Sequence, residues 1–307
     1  MGKGRSPRGY LVVVAAALFG LLVSQVAAAG GEGESEGPKA RASAVSASKF
    51  KKLKKQVQAL QRQVDALASQ PGPQGPPGAQ GPAGTAPVCQ GNGSGDTMVA
   101  AGAVCVDKYE VSVWSSPTGG TQYGASSDNY PAACTDTGQG CEAGSAGEIY
   151  ARSVPGVTPS RFITYFQAQA ALANVGKHLP SDAQWQQAVA GTPDSTACNV
   201  STGSVAATGT NADCVSNFGA FDMVGNLYEW VRDWVPRSTA CPGWGTVVTF
   251  ASDDLMCLSG ASTTAAAPGA LLRSGSFNDD TSAGPFTVDG RFLPSGSFFD
   301  TGFRGAR

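Results

Sequence analysis

The chain has 307 residues, with 21 lysines and arginines, 23 aspartates and glutamates, one histidine and eight cysteines. A net charge of -2 offers no basic surface for a phosphate backbone, so no nucleic-acid partner is expected. The lone histidine, His178, excludes a three-histidine metal site and any mechanism that needs two histidines.

In chain order, Lys3, Arg5 and Arg8 precede an apolar stretch from Tyr10 to Val23, and an Ala27-x-Ala29 pattern precedes Gly30 and Gly31. That is the three-part layout of a secretory signal peptide over residues 1–29. An uncleaved membrane anchor is the alternative, because only Gly20, Ser24 and Gln25 interrupt Tyr10 to Ala29. Either way the remainder is expected to be exported, as a secreted or cell-surface/periplasmic protein. Residues 30–42 carry glycine and charge without a large apolar side chain, and read as a disordered linker.

Over residues 43–70 the pattern becomes helical. Phe50, Leu53, Val57, Leu60, Val64 and Leu67 follow one another at alternating steps of 3 and 4, the a and d positions of a coiled coil. The lysines beside them, Lys51, Lys52, Lys54 and Lys55, read as a solvated face. Gly72, Gly75, Gly78, Gly81 and Gly84 then occupy every third position of a proline-rich run, a collagen-like G-X-Y repeat over residues 71–86. At the chain's glycine frequency, four further glycines in phase arise by chance about 3 times in 10,000. A flexible linker is the alternative reading. Valine at a with leucine at d favours two strands, whereas glycine at every third residue has a steric purpose only where three chains meet. The steric argument favours a homotrimer through residues 50–86, with a stalk of about 45 Å.

Residues 87–307 hold all eight cysteines and all five tryptophans, and have the size of one domain. Clusters of Gly, Ser, Thr and Asn at 114–129, 192–213 and 258–268 predict long loops. Short strands are expected at Gly102 to Cys105 and Thr246 to Phe250. Helices are expected over 164–175 and 181–190, the second capped by Ser181 with Gln184 three residues on. Trp230 and Trp234, four apart, suggest a helix-like turn packed into the core, with a sugar-stacking platform as the alternative. No C-x-x-C occurs, so the cysteines read as structural disulfides. Pairing nearest neighbours gives Cys89 with Cys105, Cys134 with Cys141, Cys198 with Cys214 and Cys241 with Cys257, one arrangement among about 105.

Four collinear segments resemble one family, the formylglycine-generating enzyme or sulfatase-modifying-factor domain, over about Val104 to Arg307. The first is CVDKYEVS, with Tyr109, Glu110 and Val111. The second is the helix and turn ending GKHLPSDAQW, through Gly176, Lys177, Leu179, Pro180, Ala183 and Trp185. The third and strongest is FGAFDMVGNLYEWVRDW, through Gly219, Asp222, Met223, Gly225, Asn226, Glu229 and Trp230. Last come LLRSGSF and the terminal GFRGAR, with Arg273, Ser276, Phe303 and Arg304.

The resemblance implies an α+β, loop-rich, C-type-lectin-like fold. It also implies copper chemistry through two cysteines after the Arg-Gly-Gly-Ser motif, yet Asp279 and Gly284 stand at the matching positions and no cysteine follows Cys257. The related sulfoxide synthases use three histidines, which this chain lacks. No copper or haem is therefore expected. The family often holds calcium near the third motif, making Asn226 and Glu229 candidate Ca2+ ligands; hydrogen bonding of the turn without metal is the alternative. Arg273 and Arg304 are expected to pair with buried carboxylates such as Asp222 or Asp233. His178 falls at the family's variable basic position and reads as a surface residue.

The expected function is a ligand-binding, non-catalytic head on a trimeric stalk. Loops between Asn278 and Phe299 would form the binding face, with Asp279, Asp280, Asp289, Arg291 and Phe292 as candidates toward an extracellular ligand. The alternatives are an oxidoreductase of the family's kind acting on an exported substrate, and a purely structural envelope protein.

Overall fold

The computed structural model describes residues 47–68, 88–93, 95–244, 246–247, 250–261 and 267–307. The expected signal peptide or anchor, the linker and the collagen-like run lie outside the described residues. The chain divides into two units, Met1–Gly78 and Ala79–Arg307.

In the first unit, α1 is a 22-residue helix, Ala47–Ala68. Strong helix formers (Ala, Leu, Lys, Gln) fill it and neither glycine nor proline interrupts it. Leu53, Val57, Leu60 and Val64 are exposed by 40–60%. No helix among the described residues is long and apolar enough to cross a membrane.

The second unit is rich in sheet and poor in helix. Met98–Ala101 (β1) and Val104–Asp107 (β2) form an antiparallel hairpin around Gly102. Ser112–Ser116 (β3), Gly119–Tyr123 (β4) and Tyr150–Arg152 (β5) form a three-stranded sheet in the order β4-β3-β5. Two helices follow, Tyr165–Ala173 (α2) and Asp182–Ala188 (α3). Each opens with a reciprocal capping box, Thr164 with Gln167 and Ser181 with Gln184, which satisfies amide donors left orphaned by the first turn.

The central sheet is assembled from distant segments: Tyr228–Val235 (β6), Met256–Cys257 (β9), Gly269–Arg273 (β10), Val288–Asp289 (β11) and Thr301–Phe303 (β12). Its order is β12-β6-β10-β11-β9, with β6 antiparallel to β10 and parallel to β12. Thr246–Val247 (β7) and Phe250–Ala251 (β8) form a separate hairpin. Alternation along the central strands supplies two cores. Tyr228, Trp230, Ala270, Leu272 and Phe303 join α2 in one core. Val231, Leu271 and Val288 join Trp185, Val189 and Met223 in the other.

Trp230 and Trp234, expected on a helix-like turn, lie instead on β6. Residues four apart share a face in a strand as well as in a helix, so their spacing alone could not separate the two. Trp230 is fully buried, whereas Trp234 is 47% exposed and packs edge-on against Tyr165 and Phe166.

All eight cysteines are paired: Cys89–Cys105, Cys134–Cys141, Cys198–Cys214 and Cys241–Cys257. Each bridge closes a short stretch of a loop-rich chain. Four disulfides indicate an oxidising environment.

Candidate functional site

Three polar groups of residues are candidates for a functional role. The first is a buried framework built by the FGAFDMVGNLYEWVRDW segment. Asp222 (φ 55°) and Asn226 (φ 58°) both adopt the left-handed conformation, which Asp and Asn tolerate better than most side chains. Gly225 between them is forced: a Cβ there would lie 2.4 Å from the Asn199 carbonyl oxygen. The chain therefore turns twice and enters β6 with Glu229 facing Trp185 and Arg304. Trp185 Nε1 donates to Glu229 Oε2 at 2.6 Å, and Arg304 Nε and Nη2 donate to both oxygens.

Asn226 is held as tightly. Its Nδ2 donates to Glu110 Oε2, and its Oδ1 accepts from Asn199 Nδ2 at 2.9 Å and Ala206 N at 2.8 Å. The two candidate calcium ligands, Asn226 and Glu229, thus have protein donors on their oxygens and lie almost wholly buried. Burial, and next the charges of Asp222 and Glu229, push the Glu110 carboxyl well up. The two arginines pair with carboxylates other than those of Asp222 and Asp233, although Arg304 Nη2 also reaches the Asp222 main-chain carbonyl at 3.4 Å. Arg304 pairs with Glu229, and Arg273 with Asp182 at 3.1 Å. The Asp222 carboxylate instead accepts from Gly209 N, and that of Asp233 from Asp182 N. Lys177, conserved in the resemblance only as a motif letter, bridges buried Asp96 (2.7 Å) and Asp107 (2.6 Å). His178 is half-buried, with Nδ1 2.9 Å from the Leu179 carbonyl oxygen.

The second group is the face between Asn278 and Phe299. Asp279 Oδ2 accepts from Ser276 N (2.8 Å) and Ser276 Oγ (2.6 Å). Buried Asp289 is gripped by the Arg291 guanidinium, whose Nη2 lies 2.6 Å from Oδ2. That side-chain bond raises the Arg291 pKa. Tyr228 lies buried beside these groups: burial, followed by the charges of Asp279 and Asp289, pushes its phenol pKa up. Phe292 packs against Phe298 at 4.7 Å, with Arg291 over its ring. Asp280 is exposed at the start of a short 3-10 turn, with its backbone N–H bonded to Val200 O. Asn278 and Phe299 are exposed at the rim, the latter by 50%. Thus Asp279, Asp289 and Arg291 meet around Tyr228, which the sequence reading left out of the face.

The third group is acidic. Carboxylate oxygens of Asp194, Asp253 and Asp254 lie within 4.8 Å of one another. Sequence reasoning missed it because Asp194 stands some sixty positions from its partners. A shallow groove lined by Gln169, Ala170, Ala173, Lys177, His178, Leu179 and Arg232 borders the first group through Lys177 and His178.

Comparison with known proteins follows this geometry. The sulfatase-modifying factor enzyme 1-like domain matches residues 99–307. Among solved structures, the P3c variant of a Major Tropism Determinant is 22% identical with a TM-score of 0.45, over 69% of this chain and 52% of its own. The U1 variant is 21% identical with a TM-score of 0.45, over 71% and 54% respectively. CarF is 16% identical with a TM-score of 0.32, over 48% of this chain and 67% of its own. The chain therefore spans about half the length of the tropism-determinant structures it matches. No curated protein sequence matches it.

Proposed function

The chain belongs to the sulfatase-modifying factor enzyme 1-like family through residues 99–307, and from that membership we propose that its head is a non-catalytic, lectin-like ligand-binding module of an exported protein, carried in three copies on a collagen-like stalk. The carrying observation is the chemistry at Asp279 and Gly284. Copper chemistry of the family's kind needs a thiolate pair, because soft sulfur holds Cu(I) where a carboxylate does not. Asp279 is engaged by Ser276, Gly284 has no side chain, and all eight cysteines are in disulfides. A Cβ at position 284 would also lie 2.1 Å from Asp254 Oδ1, so no cysteine fits there without rearrangement. The residues present do not fit a copper thiolate centre.

Binding is assigned to the Asn278–Phe299 face. Arg291 and Tyr228 fix a rigid polar floor, and Asn278 and Phe299 stand at its rim, a mixture of anchored polar groups and an aromatic edge suited to ligand contact. Support for trimerisation comes from the exposed stripe Leu53, Val57, Leu60 and Val64 on a helix that would be marginal alone in water. Three heads on one stalk would raise weak contacts into useful avidity.

Light scattering on the full chain beside a form beginning at Val88 tests the assembly. The expected result is three chain masses for the former and one for the latter. Monomers in both cases overturn the stalk. Turnover of a cysteine-containing peptide to an aldehyde by the copper-loaded head would overturn the non-catalytic assignment.

A further inference from the structure

The acidic group in the second unit is more than a crowd of surface carboxylates. Asp194 and Asp253 are exposed, but Asp254 is 1% exposed. Its Oδ2 accepts from Phe286 N at 2.6 Å, while its buried Oδ1 has no hydrogen-bond donor among the described residues. Oδ1 lies against Gly284, where the missing side chain makes room for it. A buried carboxylate oxygen without a donor is costly, and two further carboxylates nearby raise that cost. The charge of Arg273 acts on Asp254 only weakly, and its terminal nitrogens are committed to Asp182, Gln186 and the Pro285 carbonyl, while its buried Nε has no acceptor among the described residues.

We propose that Asp194, Asp253 and Asp254 form a calcium site that ties the segment after α3 to the loop before β9. The ligand chemistry is that of a hard divalent cation, three carboxylates from two separate loops. Calcium binds oxygens at about 2.3–2.6 Å, so its ligand atoms stand up to about 5 Å apart, which accommodates the 4.8 Å span of this trio. Two exposed carboxylates leave the remaining coordination to water, an arrangement fitting the weaker sites of extracellular modules, with Kd of about 10⁻⁴–10⁻³ M. Because Asp254 also holds Phe286 N, the cation would steady the strand leading to β11 and so the Asn278–Phe299 face. The site is distinct from the buried Asn226 and Glu229, whose oxygens face protein donors.

The test uses the full chain stripped with chelator, titrated with calcium chloride and, in parallel, magnesium chloride. Thermal unfolding and isothermal titration calorimetry are read together. The expected outcome is one calcium per chain, a midpoint raised by a few degrees at 10 mM, and weaker binding of magnesium. The double variant Asp194→Asn with Asp253→Asn changes only exposed side chains and is expected to fold, with calcium affinity reduced at least about tenfold. No heat and no shift with calcium in the wild type overturn the proposal. A shift that persists undiminished in the double variant overturns it too, since the cation would then bind elsewhere.

Discussion

Arg304 and Glu229 form a bidentate ion pair in the interior, with Nε 2.7 Å from Oε2, Nη2 2.5 Å from Oε1, and neither side chain exposed. Arg304 Nη1 also donates to the Asp107 carbonyl at 3.0 Å, so the pair ties β12 to β6 and to β2. Removing one member of such a pair strands the other charge. Glu229→Ala and Arg304→Met are each expected to cost about 3–5 kcal/mol in urea denaturation. Trp185→Phe, which removes the indole donor to Glu229 and part of a buried ring but strands no charge, should cost less, about 1–3 kcal/mol.

Stability should depend on Asp222 at mildly acid pH. Burial pushes its carboxyl up to about 6, against the opposing bond from Gly209 N and the charge of Arg304. The folded state therefore keeps a proton that the unfolded chain releases near pH about 3.9. The contribution of this group is full below that value and is lost as pH rises through about 6. Asp222→Asn preserves an acceptor for Gly209 N and tolerates the left-handed backbone. Denaturation midpoints at pH 4, 5, 6 and 7 should show a shallower decline in this variant than in the parent.

The Cys198–Cys214 bridge spans a sequence separation of 16 in a segment without a helix or strand of its own. Cys198→Ser with Cys214→Ser is expected to lower unfolding stability by about 2–5 kcal/mol. Chemical denaturation of the head alone provides the measurement, and an unchanged midpoint would show that the loop is held by its packing.

Leu53 and Leu60 lie two positions of the stripe apart on α1 and are 50% and 60% exposed. The pair of changes Leu53→Ser and Leu60→Ser should convert the full chain to monomers in light scattering. The melting of the head should stay where it was, because these residues belong to the other unit. Persistence of the oligomer would assign assembly to another segment.

Local features were legible without coordinates. The Ser181–Gln184 cap, the helix over Asp182–Ala188 and the heptad on α1 depend on residues within a turn or two of one another. In the candidate face, Asp289 and Arg291 stand two residues apart in one loop and pair directly, whereas Asp279 is bonded to Ser276. Tyr228 is not legible as their neighbour, because a tyrosine inside a strand carries no mark of which distant charges surround it once the chain folds. Arg304 does pair with a buried carboxylate, as expected, but Glu229 takes the place of Asp222 or Asp233, and Arg273 pairs with the more exposed Asp182. Several carboxylates stand in the motif, and only strand register selects among them.

The amino-acid sequence by itself determined the family, through Asp222, Gly225, Asn226 and the terminal Gly-Phe-Arg, and it determined that no cysteine pair follows Cys257. Those properties reside in residue identity and short-range spacing. Tertiary structure alone decided that Glu229 serves Arg304, that Trp230 lies on a strand, and that Asp194 meets Asp253 and Asp254. Such contacts join residues brought together by the register of a five-stranded sheet and by long loops, and no local periodicity encodes a distance across the fold.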